Sequence, residues 1–439
     1  MTIEAAGTRG YLQGLLGHLQ PAGPAAPSAP GLSWLKALRA EAVERVGALT
    51  VPSPRDEAWR FTDISALTSR SFRPSDTPTR LQSRDIERFH VDEAATRLVF
   101  VDGVHAPELS SAVPGGIVAG NLPAGTGHGA AEVEAHLCRH VDFRDSLFPA
   151  LNTAFLGDAA VIVVPRETAV PAPVHVLFVS TQADVVSHPR ILLVAGAGSA
   201  VTLVEDYVAL HDGAYLTNSV VEIAVGANAG VEHVRVQRES GEAFHVASCA
   251  ASLAHGSRYH STSVALGGRI SRLALDVVQT AENTHCSLDG LALIGGSQVA
   301  DTHTRIDHAR PHGTSRQLHK CIVDGKAHAV FSGKVLVRPG AQRTDSAQSS
   351  RNLLLTPKAL VDTQPQLEIL ADDVKCTHGA TVGQLDSEQL FYLRSRGLAD
   401  VAARNLLTYA FGAEVIDRIP IASLRAHLEA TVLERTASQ

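Results

Sequence analysis

The chain lacks most of the features by which catalysts and membrane proteins declare themselves. No apolar run reaches the roughly 18 residues that span a bilayer. The start, Met1-Thr2-Ile3-Glu4, carries an acid with no uninterrupted apolar core behind it, so a secretory signal is not expected. There is no GxxxxGK(S/T) phosphate loop. Gly325-Lys326-Ala327 and Gly333-Lys334-Val335 lack both the upstream glycine and the hydroxyl that holds Mg2+, so ATP hydrolysis is not expected of this chain. GxSxG, HExxH and a strand-linked GxGxxG are missing too, and the reading is of a protein that is not an enzyme. Cysteine is sparse: Cys138, Cys249, Cys286, Cys321 and Cys376 are odd in number and never spaced CxxC. That argues against a disulfide framework and against a self-contained zinc or iron-sulfur site. Basic charge is short as well. A net charge of -7 and no block of Lys or Arg leave no field for nucleic acid or a membrane surface. A cytoplasmic protein of about two or three domains is expected, with core material enough in a sequence that is 45% hydrophobic.

What is present is concentrated near residue 376. In Asp372-Asp373-Val374-Lys375-Cys376-Thr377-His378-Gly379-Ala380-Thr381-Val382-Gly383 a thiol and an imidazole lie two residues apart. On a strand Val374, Cys376 and His378 share one face, which makes a half-site for a metal. Two ligands cannot close a tetrahedral zinc or an iron-sulfur cluster, so the remaining donors must come from elsewhere or from another chain. The competing reading is an inward-facing, merely packed strand. Cys376 and His378 also resemble a nucleophile and base, but no third group is evident to orient the imidazole. A second concentration, His303, His308, His312, His319 and His328 beside Cys321, matches no compact ligand pattern and is expected to be surface and turn histidines.

The texture changes along the chain. Residues 1–32 end in a Pro/Ala/Gly tract and read as a flexible N-terminal segment, with a short amphipathic stretch ahead of the tract that docks or frays. From Ser33, Leu35, Leu38, Ala42, Val43 and Val46 recur at helical spacing, and Gly47 offers a stop. Pro52-Ser53-Pro54-Arg55-Asp56-Glu57-Ala58-Trp59-Arg60-Phe61-Thr62-Asp63 reads as a loop anchored by aromatics. Residues 33–95 form an N-terminal helical domain. Over 96–384 short β-branched runs such as Ala160-Val161-Ile162-Val163-Val164 alternate with turns at Gly198, Gly226, Gly256, Gly296 and Gly340. Long helical periodicity is nearly absent, so a mainly β solenoid of stacked strands fits better than a doubly wound sheet, with a large β-sandwich as the alternative. After Asp386 helices return over 385–439: one capped by Asp386 or Ser387 with Leu390, Phe391 and Leu393, one with Leu406, Leu407, Ala410 and Phe411, and one with Leu424, Leu428 and Val432.

Four stretches together resemble the SufB/SufD family of iron-sulfur cluster assembly proteins. They are Arg351-Asn352-Leu353-Leu354-Leu355, Asp362-Thr363-Gln364-Pro365-Gln366-Leu367-Glu368-Ile369, the Cys376-x-His378 segment and Phe391-Tyr392-Leu393-Arg394-Ser395-Arg396-Gly397. Pro54-Arg55-x-Glu57-x-Trp59-Arg60-Phe61-Thr62-Asp63 extends the likeness back to about residue 50. The absence of any cysteine before Cys138, and the wording around Cys376, resemble the SufD branch more than the SufB branch. The resemblance implies a right-handed parallel β-helix core flanked by N-terminal and C-terminal α-helical domains. It also implies a scaffold complex in which this chain meets a SufB-like paralogue through the β-helix and a SufC-like ATPase through residues 385–439. ATP is then handled by the SufC-like partner. The chain alone holds no stable cofactor, and the iron-sulfur cluster is transient cargo at an interface to which His378, and less firmly Cys376, contribute. A homodimer of the isolated chain stays open. Two other readings stand beside this one: a purely structural subunit of that complex, and a β-helix carbohydrate-active enzyme, which the 5% aromatic content and lack of an export signal disfavour.

Overall fold

The computed structural model describes residues 3–18, 33–75, 77–111, 113, 115–122 and 129–437. From about residue 160 the chain winds as a β-solenoid in which consecutive long strands alternate between two sheets. In the first sheet Leu216 pairs with Phe244, Phe244 with Ile270, Ile270 with Val299, Val299 with His328 and His328 with Leu360, all in parallel. In the second sheet Gly230 pairs with Arg258, Arg258 with His285, His285 with Thr314, Thr314 with Asp345 and Asp345 with Lys375. One turn therefore takes about 30 residues, a normal length for a solenoid repeat. The lower end is closed by antiparallel strands, Val118–Asn121 on Ala160–Val164 and Val104–His105 on Thr96–Val101.

A left-handed residue at one corner lets the chain turn. It falls two positions before six successive second-sheet strands, at Gly198, Asn228, Gly256, Asn283, His312 and Arg343, all with φ between 57° and 69°. Glycine and asparagine tolerate that conformation best, and His312 and Arg343 pay a steric cost for it. The expected turn glycines Gly226 and Gly340 are not in this conformation. Gly226 is needed for another reason, since a Cβ there would stand 2.8 Å from the Ala195 oxygen.

The helices lie on opposite outer faces. Helix Ser33–Ala48 buries Leu35, Leu38, Ala42 and Val46 with helix Leu147–Ala154 against the first sheet at Leu192, Leu216 and Phe244. Val43, expected on this face, is exposed. Within the segment expected to be flexible over 1–32, the amphipathic stretch is docked: Ile3–Gly17 is a helix whose Tyr11, Leu12 and Leu15 are buried in the same cluster. The Pro/Ala/Gly tract lies outside the described residues. The range 96–384 is likewise not all strand, because helices Ala130–His136 and Leu147–Ala154 sit inside it. The second is buried on all sides, Asn152 and Thr153 included, and too short to show a 3.6-residue period, so the sequence pattern hid it.

On the other face, helices Asp400–Ile416 and Ala422–Ala437 cover Val234, Val264, Leu291 and Ile322 of the second sheet. Leu424, Leu428 and Val432 pack as expected. In the helix before them the packed face is Ala403, Thr408, Gly412, Val415 and Ile416 instead of the expected Leu406 side, with Gly412 lying against Ile322 and Leu291. No helix among the described residues is long and apolar enough to cross a membrane.

Ion pairs with at least one buried partner fasten both attachments. Arg190 and Glu222, both buried on the first sheet, meet at 2.7 Å. The Glu222 carboxylate also accepts the backbone N–H groups of Cys138, His140 and Val141 at 2.8, 2.8 and 3.2 Å. Arg190 reaches Asn152 and Thr153 of the neighbouring helix. Burial pushes the Glu222 carboxyl up, but Arg190 and the donated N–H groups outweigh it and hold it below the usual carboxylate range. At the other attachment Lys320 donates to the Phe411 oxygen at 2.8 Å and pairs with Glu414, while Arg418 pairs with Asp289 at 2.6 Å. Asp289 and Glu232 hold His260 between them, each at 2.9 Å. Their hydrogen bonds, Asp289 first, outweigh burial and raise the His260 imidazole to about 9.

Replacing Glu222 by Ala strands a buried guanidinium and three backbone donors. A loss of about 3–5 kcal/mol in urea unfolding is expected; a loss no larger than that of a surface exchange would contradict the joint. For His260 the folded value lies above the unfolded 6.5, so its stabilisation is complete below pH 6.5 and disappears as pH rises through about 9. The melting temperature should fall between pH 7 and 10, and His260→Gln should flatten that fall.

Candidate functional site at the open end

The upper end of the solenoid is left open. Strands Leu360–Ile369 and Lys375–Gly383 each pair on one edge only among the described residues; the first is mostly half-buried and the second largely exposed. Leu360 at 59%, Leu370, Ile369 and Val382 leave apolar surface around this rim.

Cys376 and His378 stand on the last strand of the second sheet. Their register partners one rung below are Ser346 and Gln348. Those two residues and Ser350 are buried and alternate with less buried neighbours, so they face the interior of the solenoid. Side chains stack on the same side in parallel register, and Cys376 and His378 therefore project to the inner side of the open mouth. Cys376 is half-buried in a small apolar cluster with Val335, Val337, Leu367 and Val374. Burial pushes its thiol up. His378 is exposed. Thr363 of the other open strand donates to the Ser350 hydroxyl at 2.9 Å, and one rung down Gln348 donates to Gln317 at 2.7 Å, so a hydrogen-bonded polar floor underlies the pair. Gln348 reaches across to Gly333 on the opposite sheet, where a Cβ would stand 2.2 Å from its amide nitrogen.

Among the described residues no group of three or more His, Cys, Asp and Glu is arranged to hold a metal. The two donors at the mouth form at most half of a site. The histidine concentration separates into unrelated environments. His303 and His328 pair with Asp301 and Asp362. His312 occupies a left-handed corner. His308 and His319, expected at the surface, are instead buried. They point inward on strands whose alternation the polar sequence disguised. His319 stacks on Phe331 and lies 3.6 Å from Cys321, repeating the Cys/His spacing of the mouth in a sealed setting. There burial drives the imidazole down to about 3 and the thiol up to about 12, so the pair is neutral and inert.

Sequence reasoning also missed a buried polar set inside the solenoid. Glu205 takes the Tyr207 hydroxyl at 2.9 Å and lies 3.2 and 3.3 Å from His233 and Arg235, while His245 meets Glu239 at 2.6 Å. The one signal available was alternation of charged residues within apolar strands, legible only after the strands are put in register.

Comparison with known proteins bears on the same surfaces. The SufBD protein N-terminal region matches residues 28–176, and the SufBD core domain of SUF-system FeS cluster assembly matches residues 178–411. The chain belongs to the SufBD family. It is 41% identical over 408 residues to an iron-sulfur cluster assembly SufBD family protein of Synechocystis, covering 90% of each chain. It is 33% identical over 390 residues to the iron-sulfur cluster assembly protein SufD of Escherichia coli, covering 88% of this chain and 89% of that one. The chloroplastic protein ABCI7 of Arabidopsis thaliana is 34% identical over 391 residues, covering 85% and 80%. Membership supports a role in iron-sulfur cluster assembly for this SufBD chain, and the core-domain match takes in the open rung with Cys376 and His378.

Accessibility separates the five thiols of this SufBD chain. Four are buried and one is half-exposed. Under native conditions an excess of a thiol-disulfide reagent should modify one thiol per chain, and Cys376→Ser should abolish that reaction. Modification of two or more thiols in the folded protein would contradict the burial described.

Proposed function

We propose that this chain is a non-ATPase subunit of a cytoplasmic scaffold of SufB-, SufC- and SufD-type subunits that assembles iron-sulfur clusters. Its open last rung meets a SufB-type paralogue, and His378, with Cys376 beside it, faces the nascent cluster as one side of a shared site. The observation that carries this reading is the coincidence of three features on one rung: unpaired strand edges, exposed apolar residues, and two metal-donor side chains that cannot complete a site alone. An unpaired parallel edge is satisfied by a further strand, and a homologous solenoid end offers one. The cluster is cargo in this scheme. The chain itself keeps no cofactor and performs no bond-making step; it orients donors and excludes water from the seam.

The SufC-type ATPase docks on the C-terminal helices. Helix Ser387–Ser395, capped by the Asp386 side chain, exposes Phe391 at 74% and Tyr392, and the next helix exposes Val401 and Leu406. Aromatic anchors of this kind dominate interface energetics. Without a phosphate loop of its own, the chain relies on that subunit for ATP.

Cys376 has a second reading. Its half-burial with Val335, Val337 and Leu367 favours packing over ligation, whereas His378 has no such apolar company. Co-purification of the complex without oxygen, followed by iron and acid-labile sulfide analysis, distinguishes them. His378→Ala should lower both contents with subunit ratios unchanged, and Cys376→Ala should lower them less. Equal iron and sulfide in wild type and His378→Ala would leave the chain a structural subunit.

A further inference from the structure

Beneath the mouth runs a ladder of side-chain amides that stops one step short of His378. Gln317, Gln348 and His378 are successive register partners on the second sheet and share its inner face. Gln348 donates its amide N–H down to the Gln317 oxygen at 2.7 Å, and Gln317 donates in turn to the Thr304 hydroxyl at 2.8 Å. In such a ladder each amide oxygen accepts from the rung above. The Gln348 oxygen is buried and has no hydrogen-bond partner among the described residues. The rung above it carries His378, and among the described residues neither of its ring nitrogens has a partner. Gln348 is not free to turn elsewhere. Its amide nitrogen lies over Gly333, where a Cβ would stand 2.2 Å from it, and the nearby hydroxyls are engaged, Thr363 with Ser350 and Ser315 with Ser346.

A buried carbonyl oxygen left without a donor is costly, so the open position calls for one. An imidazole N–H fits it. The two ring nitrogens point in nearly opposite directions, and the hydrogen bond made by one decides which nitrogen is left to ligate. A His378 ring that donates downward therefore presents the lone pair of its other nitrogen upward, out of the mouth. We propose that Gln348 is the positioning residue of the mouth: when a partner closes the last rung, its oxygen accepts one ring N–H of His378 and aims the other nitrogen at the shared cluster site. This rests on the role proposed above for His378. Gln348 itself touches no cluster atom. In the open chain His378 stays exposed and the acceptor beneath it stays unfilled, as the structure shows.

The bond is measurable without the cluster, as the affinity of the full chain for the cluster-free SufB-type subunit bound to its SufC-type ATPase. A double-mutant cycle compares Gln348→Met, which keeps the length and removes the polar atoms, with His378→Ala and with both together. A coupling of about three- to tenfold in Kd is expected, the size of one hydrogen bond. That is too small to change subunit ratios on co-purification. His378→Gln separates positioning from ligation, because its amide can donate to Gln348 as one more step of the ladder. It should pair as tightly as wild type and yet carry less iron and sulfide, whereas His378→Ala should lose on both counts. Should Gln348→Met fail to fold, the contrast of His378→Gln with His378→Ala, which leaves Gln348 in place, decides alone. Additive effects in the cycle, or a His378→Gln chain that pairs as weakly as His378→Ala, would overturn the assignment to Gln348 and leave the role of His378 standing. Equal iron and sulfide in wild type and His378→Ala would overturn that role, and this assignment with it, whatever the cycle gives.

Discussion

In-register parallel pairing is the constraint on which the rest of this structure depends. Every rung from residue 160 up to the last has its backbone donors and acceptors met by the rung below and the rung above. The same stacking fixes which side chains face inward, because a residue and its register partners point the same way turn after turn. The lower end escapes the problem of an unpaired edge through antiparallel strands and the N-terminal helices. At the upper end the stack stops with both strand edges exposed, and Cys376 and His378 stand where they do because theirs is the last strand.

The helices are attached by a common device placed on opposite faces. Each attachment combines an apolar patch with a buried cation of the sheet held in an ion pair: Arg190 with Glu222, which between them bond Asn152, Thr153 and the backbone of residues 138–141, and Lys320 with Glu414 of a C-terminal helix. Removing one partner from such a pair costs more than the pair contributes, since the other charge stays buried. The outcome is geometric. Neither helical layer covers the mouth, so one end of the solenoid and one face of the C-terminal helices stay free at the same time.

Much of this was legible in sequence, and the remainder was not for identifiable reasons. β-branched runs and missing helical periodicity announced stacked strands, and the two-residue spacing of Cys376 and His378 announced a shared face. The period itself was obscured. The left-handed corner is filled in succession by Gly198, Asn228, Gly256, Asn283, His312 and Arg343, so counting glycines gave irregular intervals while the structural interval stayed near 30 residues. The surface histidines expected at 308 and 319 proved internal because solenoid interiors accept polar side chains that find partners across a rung. Helical faces were misjudged at Val43 and Leu406, because the apolar residues of these helices allow more than one stripe and the packed surroundings select which is covered. Glu222 and its backbone donors, more than 80 residues apart in the chain, left no local trace.

The open rung also makes the stability of this end a matter of concentration. A repeat in the middle of a stack is held by two interfaces and a terminal one by a single interface, so the free chain opens first at residues 360–383. A second molecule that pairs with that edge binds only the closed form, and mass action then converts its abundance into folding free energy at the mouth. Under the proposed pairing, partner recognition and the ordering of the Cys376 and His378 side chains would become one linked equilibrium, and the unpartnered chain would hold both side chains loosely.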